Sequence, residues 1–357
     1  MRLVLLGDGE SPHLEKWARA LAPRVELWAA SSRGFTPGLE ALLPAARRLA
    51  LGTTPRAEGG NVAVLRTLPR LAAWLRTVRA DWIHAHYLSS HGTLAWLATR
   101  VLGVPGRIAG SAWGSDILVA PQRSRVARAL TRRVLRACAI TTSDSQVMAD
   151  RMRELGAREV MVFPFGLESL PPAAARPKDD ALFFANRGLE AIYRPERVLS
   201  AFAEVAHAWP QARLVVANDG SLRAALEARA GAADLAGRVQ FVGRISSEGL
   251  AQWYDAARWY FSLPASDSVS VSVLEAMAHG CVPLLSDLPA NRELVRNGEN
   301  GLILVEGEAL APRLDALRPQ ADRLAEANRC WIAEHALFPP AVDRFVARLE
   351  ALQGGGA

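Results

Sequence analysis

The strongest constraint on this chain is a rhythm. Short apolar runs of about five residues alternate with longer amphipathic stretches from the N-terminus to about residue 305. Runs that short, bounded by Gly, Asp and Ser, suit strands buried on both faces; the stretches between them repeat with the 3.6-residue period of a helix. Regular alternation of the two builds parallel sheets covered by crossover helices. In the first half the predicted strands are 2–6, 25–30, 82–87, 107–113, 139–143 and 159–164, with helices over 13–22, 63–79, 91–102, 122–137 and 145–155. The pattern restarts with strands at 181–185, 212–217, 238–242, 259–263, 281–286 and 301–305 and helices near 195–208, 221–230, 247–257 and 272–279; the tail, 308–354, reads as helices only. Between the halves, 167–180 holds Pro171, Pro172 and Pro177 without an apolar period, the composition of a linker. The expectation is an α/β chain of two doubly wound domains, 1–166 and 181–335, facing a cleft at their strand C-termini, where such sheets bind ligands. Residues 336–357 form a closing helix.

With 357 residues the chain can bury two cores, and no apolar run approaches the ~20 residues of a membrane span. Met1–Leu6 is too brief for a signal peptide, so the reading is cytoplasmic. Cys138, Cys281 and Cys330 are odd in number and widely spaced, which argues against a disulfide framework or a zinc site and for small core residues. Charge is divided unevenly: residues 1–165 hold 23 basic and 12 acidic side chains, residues 166–357 hold 19 and 24. No acid occurs between Asp116 and Asp144, and within that interval Arg125, Arg128, Arg132 and Arg136 form one stripe at helical spacing. A solvated helix face is one reading; the missing acids favour an anionic membrane surface.

Chemistry concentrates in Ser262–Gly280. Asp267 sits in a polar loop after a strand, and the N–H groups of Ser268, Val269, Ser270 and Val271 lie at the start of the next helix, where donors are free and the dipole favours anions. Glu275 follows one turn later. Two carboxylates there suit sugar and ribose hydroxyls; the alternative is that both merely cap the helix. Arg187 ends a strand and Arg194 opens a helix, where a cation is unfavourable unless an anion joins it. The turn Gly7-Asp8-Gly9-Glu10-Ser11-Pro12 lacks the third glycine of a dinucleotide fingerprint, and its acids would repel a pyrophosphate, which speaks against a nicotinamide-dependent oxidoreductase. His84 and His86 point to one face without an evident third metal ligand, so a cleft-facing or buried histidine is the better reading. No Asp-x-Asp occurs.

Asp267 and Glu275, eight positions apart and followed by Ala-Met-Ala-His-Gly-Cys-Val-Pro, resemble the paired-acid signature of family 4 ("group 1") glycosyltransferases. Arg187 with Arg194, Val215–Gly220, Phe241-Val-Gly243-Arg244, and Ala290–Leu302 resemble further turns of that family, in order over about 120 residues. The departures are Asp267 for the usual Glu, Ser268-Val269-Ser270 for Gly-Phe-Gly, Arg194 for a Lys two residues nearer, and Trp113 for a sugar-contacting His. The resemblance implies a GT-B fold: an N-terminal acceptor domain, a C-terminal donor domain, and a last helix packing back on the first. It implies retaining transfer from a UDP- or GDP-sugar; the absence of Asp-x-Asp argues against a metal-bridged donor, and no cofactor is expected. Arg187 and Arg194 would stabilise the leaving diphosphate, Asp267 would orient the sugar, Glu275 would hold the ribose and Gly243 would lie near the base. Gly9, Ser11, His13, His86, His91 and Trp113 become contacts for acceptor or sugar. The expected partners are a nucleotide sugar and a lipid-linked acceptor at the inner face of a membrane, for cell-envelope polysaccharide or glycolipid synthesis, without nucleic acid. The rival reading is a non-catalytic carbohydrate- or nucleic-acid-binding protein.

Overall fold

The computed structural model describes residues 1–53 and 65–355, so positions 63 and 64 of the predicted helix 63–79 lie outside the described residues. The chain divides into two compact units, Met1–Pro164 with Phe338–Ala357, and Phe165–Leu337.

The first unit is built on seven strands: β1 (Arg2–Gly7), β2 (Glu26–Ser31), β3 (Arg48–Ala50), β4 (Trp82–His86), β5 (Arg107–Ser111), β6 (Cys138–Ser143) and β7 (Val160–Val162). They pair in the order β3-β2-β1-β4-β5-β6-β7, and every pairing is parallel. Leu3 to Leu6 of β1 are fully buried, as a central strand covered on both faces requires. Helix Pro12–Leu21 starts where Ser11 Oγ accepts the His13 N–H and Pro12 supplies a helix-ready φ; it buries Leu14, Trp17, Ala18 and Leu21. Helix Phe338–Gly354 belongs to this unit, and its Phe338 and Phe345 rings meet Trp17 at 5.0 and 5.5 Å.

Several expectations change at this level. The predicted helix 122–137 is broken at Ser124, whose extended backbone (φ −162°) and side chain cap a separate helix Arg125–Ala137. Tyr87–Val101 is helical throughout, with wide π-type turns on either side of Thr93–Trp96, where the sequence suggested helix only from 91. Helix Pro37–Leu42 and the edge strand β3 escape the periodicity because they are too short to display one.

The second unit holds six parallel strands: β8 (Asp179–Ala185), β9 (Arg213–Ala217), β10 (Val239–Gly243), β11 (Ala257–Ser262), β12 (Val282–Ser286) and β13 (Leu302–Leu304). Their order is β10-β9-β8-β11-β12-β13. Along β8, Phe183 and Ala185 enter one core while Leu182 and Phe184 enter the other, the two-residue period of a strand with helices on both sides. The two passages of chain at the edge of this unit lie side by side: the Leu167 N–H donates to Ala336 O at 2.8 Å. A Cβ on Gly166 would fall 1.9 Å from that same oxygen, so only glycine fits there. Cys138 and Cys281 are buried, but Cys330 is exposed, correcting the core reading. Its helix, Ala321–His335, turns Leu324, Ala325, Asn328 and Ile332 inward and leaves position 330 outside that face.

Candidate active site

In the second unit, Arg187 follows β8 and Asp267 follows β11, neighbouring strands of the sheet, so both side chains start from the same C-terminal edge. They form an ion pair at 2.7 Å, with side chains only 18% and 24% exposed. Arg187 also donates to Ser270 Oγ and, at 3.5 Å, to Ser272 Oγ, and its guanidinium lies 4.5 Å from the centre of the Tyr193 ring. Asp267 Oδ1 accepts the Ser268 N–H at 3.0 Å. Burial pushes the Asp267 carboxyl above its ordinary range, and Arg187 opposes that shift. Asp267 does not cap the following helix Val271–Ala278; Ser270 holds the cap position and makes no side-chain cap bond. A guanidinium fixed on three sides beside an uncapped helix start is arranged to meet an anion.

Glu275 lies one turn into that helix. Its Oε2 accepts from Tyr254 Oη at 3.1 Å, Tyr254 Oη accepts from Asn186 Nδ2 at 2.8 Å, and Tyr260 Oη donates to Asn186 Oδ1 at 2.6 Å. Tyr254 and Tyr260 are buried and Asn186 is 8% exposed, so this chain of hydrogen bonds fixes one side of a carboxylate from inside the domain. Arg194 is elsewhere engaged: it stands in the left-handed region (φ 48°) before helix Pro195–Ala208 and pairs with Glu306 at 3.0 Å. Gly243, at the end of β10, has φ 69° and accepts the Asn218 N–H at 2.6 Å. Val269 and Ser270 are buried.

In the first unit the aromatic candidates gather at the C-terminal ends of β4 and β5. His13 packs on Trp113 with ring centres 4.9 Å apart, and His86 lies 5.9 Å from Trp113, 5.4 Å from Trp17 and 4.3 Å from His84. Trp113 is held by its own N–H donating to Asp116 Oδ1 at 2.9 Å, while Asp116 Oδ2 accepts the Leu88 N–H at 2.8 Å. Burial raises the Asp116 carboxyl to about 6. His86 is 4% exposed and neither ring nitrogen has a partner among the described residues; burial, helped by His84, His91 and His13, holds it well below the usual imidazole value. His91, by contrast, is satisfied on both sides, by His86 O at 2.8 Å and Ser32 Oγ at 3.0 Å. Gly9 donates to Ser31 Oγ at 2.8 Å, and a Cβ there would meet Gly34 O at 2.5 Å. Ser11 is occupied as the helix cap.

On helix Arg125–Ala137, Arg125, Arg128, Arg132 and Arg136 are exposed, as is Val126 at 78%. Only Thr131, Val134 and Leu135 of this helix are buried. None of the four guanidiniums has a hydrogen-bond or ion-pair partner among the described residues. Sequence reasoning missed Trp17, Asn186, Tyr193, Tyr254 and Ser272. A Tyr in an apolar helical stretch needs a partner for its hydroxyl, which was a signal, but nothing local says that the partner is 21 residues away.

The model for "Glycosyl transferases group 1" matches residues 168–329, and that for "Glycosyl transferase 4-like" matches residues 2–145. No curated protein matches. Among solved structures, Anabaena HepE in complex with UDP shares 14% identity at a TM-score of 0.74, over 98% of this chain and all of that one. Sucrose-phosphate synthase from Thermosynechococcus elongatus shares 17% at 0.76, over the full length of both chains. The lipopolysaccharide outer core galactosyltransferase WaaB shares 15% at 0.69, over 97% and 95%. At such identities the likeness shows a common fold.

Proposed function

Because the chain belongs to the group 1 glycosyltransferases and has their two Rossmann-like domains, we propose that it transfers a sugar from a UDP- or GDP-sugar, with retention of configuration, to a lipid-linked acceptor. The observation that carries this reading is the Arg187 cluster with Asp267, Ser270, Ser272 and Tyr193 at the C-terminal edge of β8 and β11. Without donor, Asp267 neutralises Arg187. With donor, the diphosphate takes the guanidinium in a bidentate contact, and the released carboxylate turns to the sugar hydroxyls. Arg194 leaves Glu306 for the same diphosphate, Glu275 binds the ribose hydroxyls, and the turn at Gly243 borders the base. The departing phosphate accepts the acceptor proton, so no separate base is required. Arginines supply the charge that a metal supplies elsewhere, and no resident cofactor takes part. UDP is favoured as the nucleotide by the HepE complexes with UDP and UDP-glucose. In the first domain, His13, His86 and Trp113 offer imidazole and indole faces to the acceptor or the donor sugar.

The membrane part of the reading is supported by the unpaired arginines at 125, 128, 132 and 136, and no helix of the described residues is long and apolar enough to cross a membrane. An enzyme docked by charge at an anionic inner leaflet meets its acceptor there, and the work assigned is assembly of cell-envelope polysaccharide or glycolipid.

One assay tests the core of this proposal. Melting temperature is recorded with UDP, GDP and their sugars; the correct ligand at about 100-fold over its Kd adds about 2.7 kcal/mol. Turnover of that donor is then followed in wild type, with EDTA, and in Arg187→Ala. Turnover survives EDTA and falls about 100- to 1000-fold in kcat without Arg187. A variant that changes only KM removes the leaving-group role, and metal-reversible loss in EDTA removes the metal-free mechanism.

A further inference from the structure

Two adjoining hollows open at the opposite, N-terminal edge of the first unit's sheet, away from the strand ends that carry His86 and Trp113. The first, of about 460 Å³, lies between the starts of β5 and β6 and is lined by Arg100, Arg107 and Arg158 with no carboxylate among its lining residues. The second, of about 630 Å³, shares Pro105, Gly106 and Arg107 with it and adds Arg76, Arg79 and one acid, Asp81. That acid is already used: its Oδ2 accepts the Arg2 N–H at 2.7 Å.

The guanidiniums divide into fixed and free. Arg107 donates to Leu352 O and lies 5.9 Å from the centre of the Trp82 ring, so it is held in place before any ligand arrives. Arg76 donates to Leu102 O at 2.6 Å. The side chains of Arg79, Arg100 and Arg158 have no hydrogen-bond or ion-pair partner among the described residues. Like charges gathered around one hollow repel, which costs stability unless an anion joins them. Three planar guanidiniums, each able to make a bidentate contact, around a volume within the usual small-molecule range suit a multiply charged oxyanion such as a phosphate. Val101 and Leu102, 62% and 37% exposed, follow Arg100 directly and give the rim an apolar lip.

We propose that the hollow between Arg100, Arg107 and Arg158 is a second anion site, which takes a phosphate group of charge −2 or more. The phosphate can come from a lipid headgroup, with Val101 and Leu102 at the acyl boundary, or from a soluble phosphate ester. The site is independent of the arginine stripe on helix Arg125–Ala137 and of the donor reading above.

The test removes the competing anion site first. Pyrophosphate is titrated calorimetrically into Arg187→Ala, with Arg187→Gln as the substitute if the alanine variant melts early. The titration is repeated with Arg100→Gln and Arg158→Gln added. Both added changes are at exposed positions and relieve like-charge repulsion, so melting stays at or above the parent value. In parallel, retention on vesicles of phosphatidic acid in phosphatidylcholine is compared for wild type and the Arg100→Gln, Arg158→Gln double variant, the helix stripe being intact in both. Weakening of either probe by about tenfold or more in the double variant is the expected result. Loss of vesicle retention identifies a lipid headgroup; loss of pyrophosphate alone identifies a soluble ligand. Absence of saturable pyrophosphate binding in the Arg187 variant together with unchanged vesicle retention overturns the site, as do equal affinities for both probes with and without the two arginines.

Discussion

The two units of this chain treat arginine differently. In the second, most surface guanidiniums that pair do so with carboxylates spread over the unit: Arg213 with Asp179 at 2.6 Å, Arg229 with Asp234 at 2.6 Å, Arg292 with Asp287 at 2.5 Å and Arg313 with Glu308 at 2.7 Å. The first unit makes such pairs both within a helix, as between Arg151 and Glu154 at 2.6 Å, and between elements, as between Arg348 and Glu159 at 2.7 Å, yet among the described residues it leaves the side chains of Arg79, Arg100, Arg125, Arg128, Arg132, Arg136 and Arg158 without one. Both units prefer arginine to lysine so strongly that only Lys16 and Lys178 occur. A general taste for arginine therefore explains neither surface. What differs is where acids were omitted, and an omission concentrated on one helix and one hollow marks surfaces that meet an external anion.

The largest effect expected from breaking this contrast is at the membrane. Each basic side chain near an anionic leaflet contributes about 1 kcal/mol, so Glu at 125, 128, 132 and 136 weakens binding to anionic vesicles by a thousandfold or more. Sedimentation with anionic and zwitterionic lipids measures it, and added salt should mimic it. Equal sedimentation on both lipids, or indifference to the charge reversal, makes the stripe an ordinary solvated face and a soluble acceptor the better assignment.

A second contrast concerns acid. The first unit buries His84, His86 and His91 completely or nearly so, and burial lowers His84 to about 3 and His91 to about 4. The folded unit keeps these rings neutral, whereas the unfolded chain takes up protons below about 6.5, so stability is lost as pH falls from there toward the folded values. Asp116 works in the opposite direction: raised to about 6, it holds a proton in the fold that the unfolded carboxyl releases above about 4. Near pH 5 about two protons net are taken up on unfolding, a loss of about 2–3 kcal/mol per pH unit. None of His207, His279 and His335 in the second unit is fully buried. Amide exchange between pH 7 and 4.5 should show β4 opening before β11. Parallel loss of protection in both units removes the histidines as the cause.

How much of this was legible in the sequence follows from the range of each interaction. The strands announce themselves through continuous apolar runs, and ten further residues of context change nothing for β1 or β12. Strand β3 exists only because Arg48–Ala50 falls opposite Ala29–Ser31, a pairing decided by the sheet. Helix Pro37–Leu42 carried a usable sign, Thr36 as cap before Pro37, that was outweighed by its length. Arg187 and Asp267 were each conspicuous at a strand end, but that they meet depends on β8 and β11 being neighbours although four helical segments separate them in sequence. The Tyr254 and Asn186 support of Glu275 was invisible for the same reason. Helical spacing gave the arginine stripe its face but could not say that Val126 on the same helix would also stay 78% exposed, because it does not say which face the sheet covers.

The smallest expected effect is also the most direct reading of the comparison. Arg258 stands in β11 with a side chain 6% exposed, its Nε 2.7 Å from Asp180 and its Nη1 2.6 Å from Asp322. Removing one member of a buried pair usually costs about 3–5 kcal/mol, because the partner charge is left in a dry site. Here the partners are 42% and 91% exposed and water takes over their solvation. Arg258→Met therefore costs about 1–2 kcal/mol, much of it from lost hydrogen bonds. Arg128 is the opposite case: exposed, without a partner, and one helical turn from Arg132. Like charges at that spacing cost a helix about 0.2–0.5 kcal/mol, so Arg128→Gln leaves stability unchanged or raises it by about that amount. Thermal melts of both variants decide between paired and unpaired arginine. A loss above about 1 kcal/mol in Arg128→Gln means that this guanidinium already serves the fold, and the stripe then has one charge fewer to offer a membrane.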